Sequence, residues 1–114
     1  IYAWSNYLSP NLDGSTSKNQ SSTLPVKFKL SGGSAGISNA KGYLWLSYSS
    51  NGTWSTEIAA TASGSSNTGN LYRYDSTEGQ YIYNLTLKPL AKGTWRLRTD
   101  LGDGVVRTVT FIVK

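Results

Sequence analysis

The chain contains no cysteine, no histidine and no methionine, and only 3 prolines in 114 residues. Without cysteine there is no disulfide framework and no thiolate metal site, so the fold must hold by non-covalent packing. Without histidine the commonest general base, the usual zinc sites and a histidine pH switch are excluded. Negative charge is scarce as well: 6 acidic residues stand against 11 basic ones, a net charge of +5. No apolar run approaches the ~20 residues of a membrane-spanning helix, and no membrane insertion is expected. Ile1 as first residue and the lack of Met suggest a segment cut from a longer precursor, with any signal peptide outside it.

What is abundant is turn chemistry and β-formers. The 12 glycines, with many Ser, Thr and Asn, punctuate short alternating runs rich in Tyr, Thr, Val and Ile. The length suits one domain with one core. We expect a single β-sandwich domain over residues 1–114, with an aromatic strap at 1–12 and sandwich strands across 24–114. The low charge content, 15%, is common in secreted and cell-surface β modules.

The last third organises the reading. Leu71 to Lys114 carries three alternating runs separated by Glu78-Gly79, Lys92-Gly93 and Asp103-Gly104. A two-residue turn at Asp103-Gly104 would set Arg98 against Val109 and Arg96 against Phe111, a poor pairing. A loop Gly102-Asp103-Gly104 sets Trp95 against Phe111 and Leu97 against Val109, leaving Arg96, Arg98, Thr108 and Thr110 outside. A longer loop of the same parity gives the same faces. Trp95, Leu97, Val109, Phe111 and Val113 are therefore expected in the core.

Upstream, Leu24 to Leu30 alternates cleanly, with Val26, Phe28 and Leu30 inward and Lys27 and Lys29 outward. Gly42 to Ser49 departs from that pattern, because Tyr43 and Trp45 are apolar on one face while Leu44, Leu46 and Tyr48 are apolar on the other. Either both faces are covered, for which the strap bearing Tyr2, Trp4 and Tyr7 is available, or an aromatic face is offered to a ligand. Asn51-Gly52 signals a type I′ hairpin. A two-residue loop there pairs Trp45 with Ile58, and one residue more pairs Leu46 with Ile58; both remain open. Asp13 to Thr23 and Ser63 to Asn70 read as polar loops, the latter without hydrophobic anchors and the more mobile. About seven strands and no helix result, an all-β, immunoglobulin-like or fibronectin-like antiparallel sandwich.

The six acidic residues are Asp13, Glu57, Asp75, Glu78, Asp100 and Asp103. A glycosidase needs two carboxylates across a cleft, and here the pairs Asp75/Glu78 and Asp100/Asp103 sit in turns that explain them. Neither loop has the ligand density of a calcium motif, and no activated nucleophile is visible; no enzyme activity, cofactor or metal is expected. A crosslink between Asn and Lys27 or Lys29, assisted by Glu57, is disfavoured by the outward parity of both lysines. Lys18, Lys27, Lys29, Lys41, Lys88 and Lys92 are scattered singly, so no specific nucleic-acid role is expected. Carbohydrate binding is the sharpest functional expectation, because sugar rings stack on aromatic faces beside polar side chains. Trp54 next to Asn51 at the hairpin tip comes first, with Tyr48 and Trp4 after it. Polysaccharide or cell-wall glycan is the corresponding partner, beside neighbouring domains of a parent chain.

Pro25-Val26-Lys27-Phe28 makes the chain resemble the PxKF domain, a module found near the C-termini of secreted bacterial multidomain proteins. Further blocks carry the likeness: Tyr2 to Pro10, Tyr72-Arg73-Tyr74-Asp75, Gln80-Tyr81-Ile82-Tyr83, and Leu101 to Val113. The resemblance implies an accessory or terminal module, secreted or on the cell surface, acting as a spacer or adhesive domain. Many members carry Cys in the middle, and this chain has none. Leu90 with Gly93-Thr94-Trp95 resembles the corner of fibronectin-like domains, with Trp95 where a Tyr commonly stands. An indole N–H donates but cannot accept, which bears on the corner hydrogen bond. As an isolated domain the chain is expected to be monomeric.

Overall fold

Leu24, Val26 and Phe28 alternate with Pro25 and Lys27, and each of the three is fully buried while the residues between them keep contact with solvent. The same period of two runs through Tyr81, Tyr83 and Leu85, and through Trp95, Leu97 and Thr99. Two such surfaces face one another and share one core. The computed structural model describes residues 2–8 and 14–114.

In chain order the strands are β1 (Ser17–Lys18), β2 (Thr23–Phe28), β3 (Tyr43–Ser50), β4 (Thr53–Trp54), β5 (Ile58–Ala59), β6 (Arg73–Asp75), β7 (Gln80–Thr86), β8 (Gly93–Asp100) and β9 (Thr108–Val113), with one 3-10 turn at Gly32–Ser34. The larger sheet runs β1-β9-β8-β3, with β4 and β5 on the far edge of β3; the smaller runs β2-β7-β6. Counting β4 and β5 as halves of one interrupted strand and setting aside the two-residue β1 leaves the seven strands expected of an immunoglobulin-like sandwich.

Side-chain parity predicted the last hairpin correctly. Trp95 lies opposite Phe111 and Leu97 opposite Val109, with Arg96 and Arg98 facing Thr110 and Thr108 on the outside. Trp95, Leu97, Phe111 and Val113 are buried, and Val109 is partly covered. The β3 hairpin realises both registers. At its tip Ser50 faces Thr53 and Ser49 faces Trp54, a two-residue turn with Asn51 at φ 52° and Gly52 at φ 78°. Beyond Ser55 the pairing slips by one, so Leu46 faces Ile58 and Trp45 faces Ala59. The extra residue is a bulge. Ser55 manages the slip, since its N–H donates to Tyr48 O at 2.8 Å while its hydroxyl accepts the Tyr48 N–H at 2.9 Å.

Three segments differ from expectation. The strap does not cover β3. Its backbone lies along the free edge of β2, with Ser5 N donating to Lys29 O and Leu8 N to Lys27 O, and Ser31 N donating back to Ala3 O. It thus extends the smaller sheet; Pro10 and Leu12 fall outside the described residues. The stretch expected to be a loop before β2 contains β1, which pairs in parallel with β9, Ser17 opposite Ile112. The 63–70 loop is anchored rather than free. Asn67 donates to Leu71 O and Ile82 O and accepts Asn84 N, Asn70 donates to Leu44 O, and the Tyr83 hydroxyl donates to Gly69 O at 2.6 Å. Polar anchors replace hydrophobic ones there.

The core between the sheets is aromatic. Phe28 stacks on Tyr81 at 5.1 Å and meets Tyr72 and Trp4 edge-on at 4.9 and 5.6 Å. Each such pair contributes about 0.5–1.5 kcal/mol beyond area burial, which suits a domain without disulfides. The aromatic strap, β2 and β7 are joined by these rings.

Candidate functional site

The outer face of the larger sheet collects most of the unexplained polar chemistry. Residues directly opposite across a ladder share a face, so Ser47 with Arg96, Trp45 with Arg98 and Ser49 with Trp54 all point outward together. Arg96 lies over the Trp54 ring, 4.7 Å from its centroid. Ser47, between them on β3, is only 1% exposed, although it stands on the outward side of the sheet. The Trp45 indole N–H, the Ser47 hydroxyl and the Arg96 Nε are buried atoms without a hydrogen-bond partner. Arg107 Nε is likewise without a partner, but Arg107 donates through its terminal nitrogens to Asp103, while Arg98 donates to Glu57 and Arg73 to Ser66 O. Beside the patch Arg98 and Glu57 form a bidentate pair at 2.7 and 2.9 Å, and those hydrogen bonds raise the arginine's pKa further.

The four residues expected to bind sugar do not all share this face. Trp54 does, half-buried beneath Arg96. Asn51 is exposed at the turn beside it and holds the left-handed conformation the hairpin requires. Tyr48 points the other way, its ring 4.9 Å from Trp95 and its hydroxyl donating to Lys92 O at 2.8 Å. Trp4 belongs to the strap, packed edge-on to Tyr7 at 4.9 Å with the Arg107 guanidinium 5.3 Å from its ring centre. The structure therefore does not assemble Trp54, Tyr48 and Trp4 into one platform. Arg96 lies over Trp54, and Trp45 shares the same outward face, for which the double-sided apolar pattern of β3 was the signal.

A second polar assembly is buried where the strap meets the β8–β9 loop. Tyr72 and Tyr7 each place a hydroxyl on Thr99 Oγ1, at 2.9 and 2.8 Å, and Tyr7 also reaches Arg107 O at 2.9 Å. A carbonyl can only accept, so Tyr7 donates to Arg107, Thr99 donates to Tyr7, and Tyr72 donates to Thr99. Burial pushes the Tyr7 and Tyr72 hydroxyls well above the usual phenol range, so they stay protonated, and pushes Tyr83 up to about 12. Next to this chain Arg107 donates twice to Asp103, at 2.8 Å, and once to Tyr2 O. Both partners are almost fully buried. Asp103 also accepts the N–H groups of Tyr2 and Val105, and the hydrogen bonds from Arg107 hold its carboxyl well below the usual carboxylate range.

Contacts within the domain engage three of the acidic turn residues. Asp103 is engaged by a guanidinium and two backbone N–H groups, Asp100 accepts Gly102 N, and Asp75 accepts Thr77 N. Glu57 is held by Arg98 on the larger sheet, whereas Lys27 belongs to β2 of the smaller one and Lys29 follows it, so the three form no crosslinking set. At the corner, Trp95 Nε1 donates to Ala91 O at 2.8 Å. Donation is all that the bond needs, and Trp fulfils it in place of Tyr.

No protein-family model and no curated protein matches the sequence. Among solved structures the chain is similar to Salmonella alpha-2-macroglobulin, both as the Y1175G mutant, at 15% identity and TM-score 0.58, and as the protein reacted with methylamine, at 15% and 0.54. Each match covers 99% of this chain and 6% of the macroglobulin, so the chain spans a small fraction of that protein's length. At this identity the likeness is one of fold: the chain is an immunoglobulin-like β-sandwich of the kind found among macroglobulin domains.

Proposed function

We propose that this domain is a non-catalytic accessory module of a larger secreted or surface protein, serving as a spacer and adhesive unit. The observation that carries the reading is the match of nearly the whole chain to a domain-sized 6% of a large multidomain protein. The PxKF resemblance supports the same reading. Two of its blocks are paired strands, with Val26 opposite Tyr83 and Phe28 opposite Tyr81, and the burial of these four side chains supports a packing role for the signature. The test is deletion of residues 1–114 from the parent protein. The expected result is retained activity with a particle shortened by up to the domain's 40 Å long axis in solution scattering. Loss of a catalytic turnover carried by this segment would overturn the reading.

A second reading is favoured by the Trp54–Arg96 arrangement, in which the domain binds carbohydrate. An indole beside hydrogen-bond donors on the outward face of a rigid sheet is the geometry that a sugar ring requires. Retardation of the domain in glycan-loaded gels, lost in Trp54→Ala with the fold retained, is the expected result. Unchanged migration against a broad glycan panel would dismiss it.

A further inference from the structure

Resting on the carbohydrate reading, we propose that the outer face of the larger sheet binds an acidic polysaccharide, taking the carboxylate of a hexuronate residue on Arg96 and its ring on Trp54. The unpaired atoms of this patch are chiefly donors. Trp45 Nε1 and Arg96 Nε can only donate, Ser47 Oγ can donate, and none has a partner within the protein. Ser47 is 1% exposed and sits directly opposite Arg96, so an unsatisfied hydroxyl is built into the floor of the patch. Unpaired polar atoms at such density are uncommon in a finished interior and mark a place completed from outside.

The charge points the same way. Arg98 is already neutralised by Glu57. Arg96 is held over an indole ring instead of by an anion. A planar guanidinium binds a carboxylate through two parallel hydrogen bonds, a stronger contact than the face of a ring offers at a solvent-accessible site. A uronate therefore draws the Arg96 fork off Trp54, which uncovers the indole face for the apolar side of the pyranose and brings the carboxylate oxygens to the donors beneath. A polyphosphate chain matches the charge but has no ring to place on Trp54. The net charge of +5 assists the approach of a polyanion without choosing the site.

The experiment is affinity electrophoresis and titration calorimetry of the whole chain with polygalacturonate, alginate and a neutral β-glucan. Wild type is run beside Arg96→Gln, Arg96→Lys, Trp54→Ala and the double variant Lys27→Gln/Lys29→Gln, with circular dichroism confirming each fold. The expected result is binding to the uronans weakened about tenfold or more by Arg96→Gln and by Trp54→Ala, less by Arg96→Lys, and hardly at all by the two lysine changes. Equal weakening by Arg96→Gln and by the lysine pair would show diffuse charge attraction and overturn the site. Binding of the neutral glucan through Trp54 with Arg96→Gln unaffected would overturn the uronate proposal and leave sugar binding standing. No binding by any glycan would overturn both.

Discussion

The guanidinium of Arg107 meets the carboxylate of Asp103 through two hydrogen bonds of 2.8 Å, and that carboxylate also receives the backbone N–H of Tyr2 from the far end of the chain. Asp103→Ala leaves a buried guanidinium without its counter-charge. The expected loss is about 3–5 kcal/mol in denaturant unfolding at neutral pH, a large share of a small domain's stability.

The same pair sets an acid response. Because the folded Asp103 carboxyl titrates below its unfolded value, its stabilisation is complete above the ordinary carboxylate range of about pH 4 and is lost as pH falls through the folded value. Urea unfolding at pH 7, 4 and 2.5 is expected to show the gap between wild type and Asp103→Ala narrowing towards acid. A gap that stays constant with pH would refute the assignment.

The hydrogen-bond chain from Tyr72 through Thr99 and Tyr7 to Arg107 O has a direction, so its ends are not equivalent. Tyr7→Phe strips the acceptor from the buried Thr99 hydroxyl and is expected to cost about 1–3 kcal/mol. Tyr72→Phe removes only a donor at the head of the chain and is expected to cost less. Thermal or urea melts of the two variants decide the order, and a reversed order would count against the Tyr7 to Arg107 O bond that orients the chain.

At the corner, Trp95→Phe keeps an aromatic ring in the core but leaves Ala91 O without its indole donor. A destabilisation of about 1–2 kcal/mol is expected in denaturant melts, from the lost bond and some lost packing. Retained stability would show the bond to be ornamental.

Gly93 stands at φ 137° with Tyr48 across from it, and a Cβ there would come within 2.7 Å of the Tyr48 hydroxyl oxygen and 2.9 Å of its ring. That ring is fixed between Trp95 and Lys92 O, so Gly93→Ala combines overpacking with backbone strain. A loss of about 2 kcal/mol or more is expected, partly relieved in Gly93→Ala/Tyr48→Phe, where the nearest clashing atom is gone.

Legibility from sequence followed locality. The Trp95–Phe111 register was readable because a wrong parity exposes Phe111 and buries arginine, a conflict visible within twenty residues. The Asn51-Gly52 turn was readable from residue type, while the slip after it depends on the Ser55 hydroxyl replacing a ladder bond, which has no pattern of its own. The strap and β1 were misplaced because they pair by backbone groups without apolar alternation, β1 in parallel with a strand almost a hundred residues later. Asn67 and Asn70 look like ordinary loop residues until their carbonyl partners are in place. For the proposed binding face, the doubled apolar pattern of β3 pointed to an unusual outer surface. The role of Arg96 required knowing that Ser47 lies opposite it and that Trp54 swings to the same side.

The one-residue slip between β4 and β5 also governs how these molecules behave in a crowd. A long, regular outermost strand would present an unbroken row of free N–H and C=O groups, a template on which a second copy could grow. Here that row is cut after two residues and resumes out of step for two more, so no straight strand from another chain matches both halves. At the opposite border, the two-residue β1 offers too short a run to seed growth. A protein rich in tyrosine and threonine, and lacking disulfides, thereby presents no long regular edge on the described part of its larger sheet.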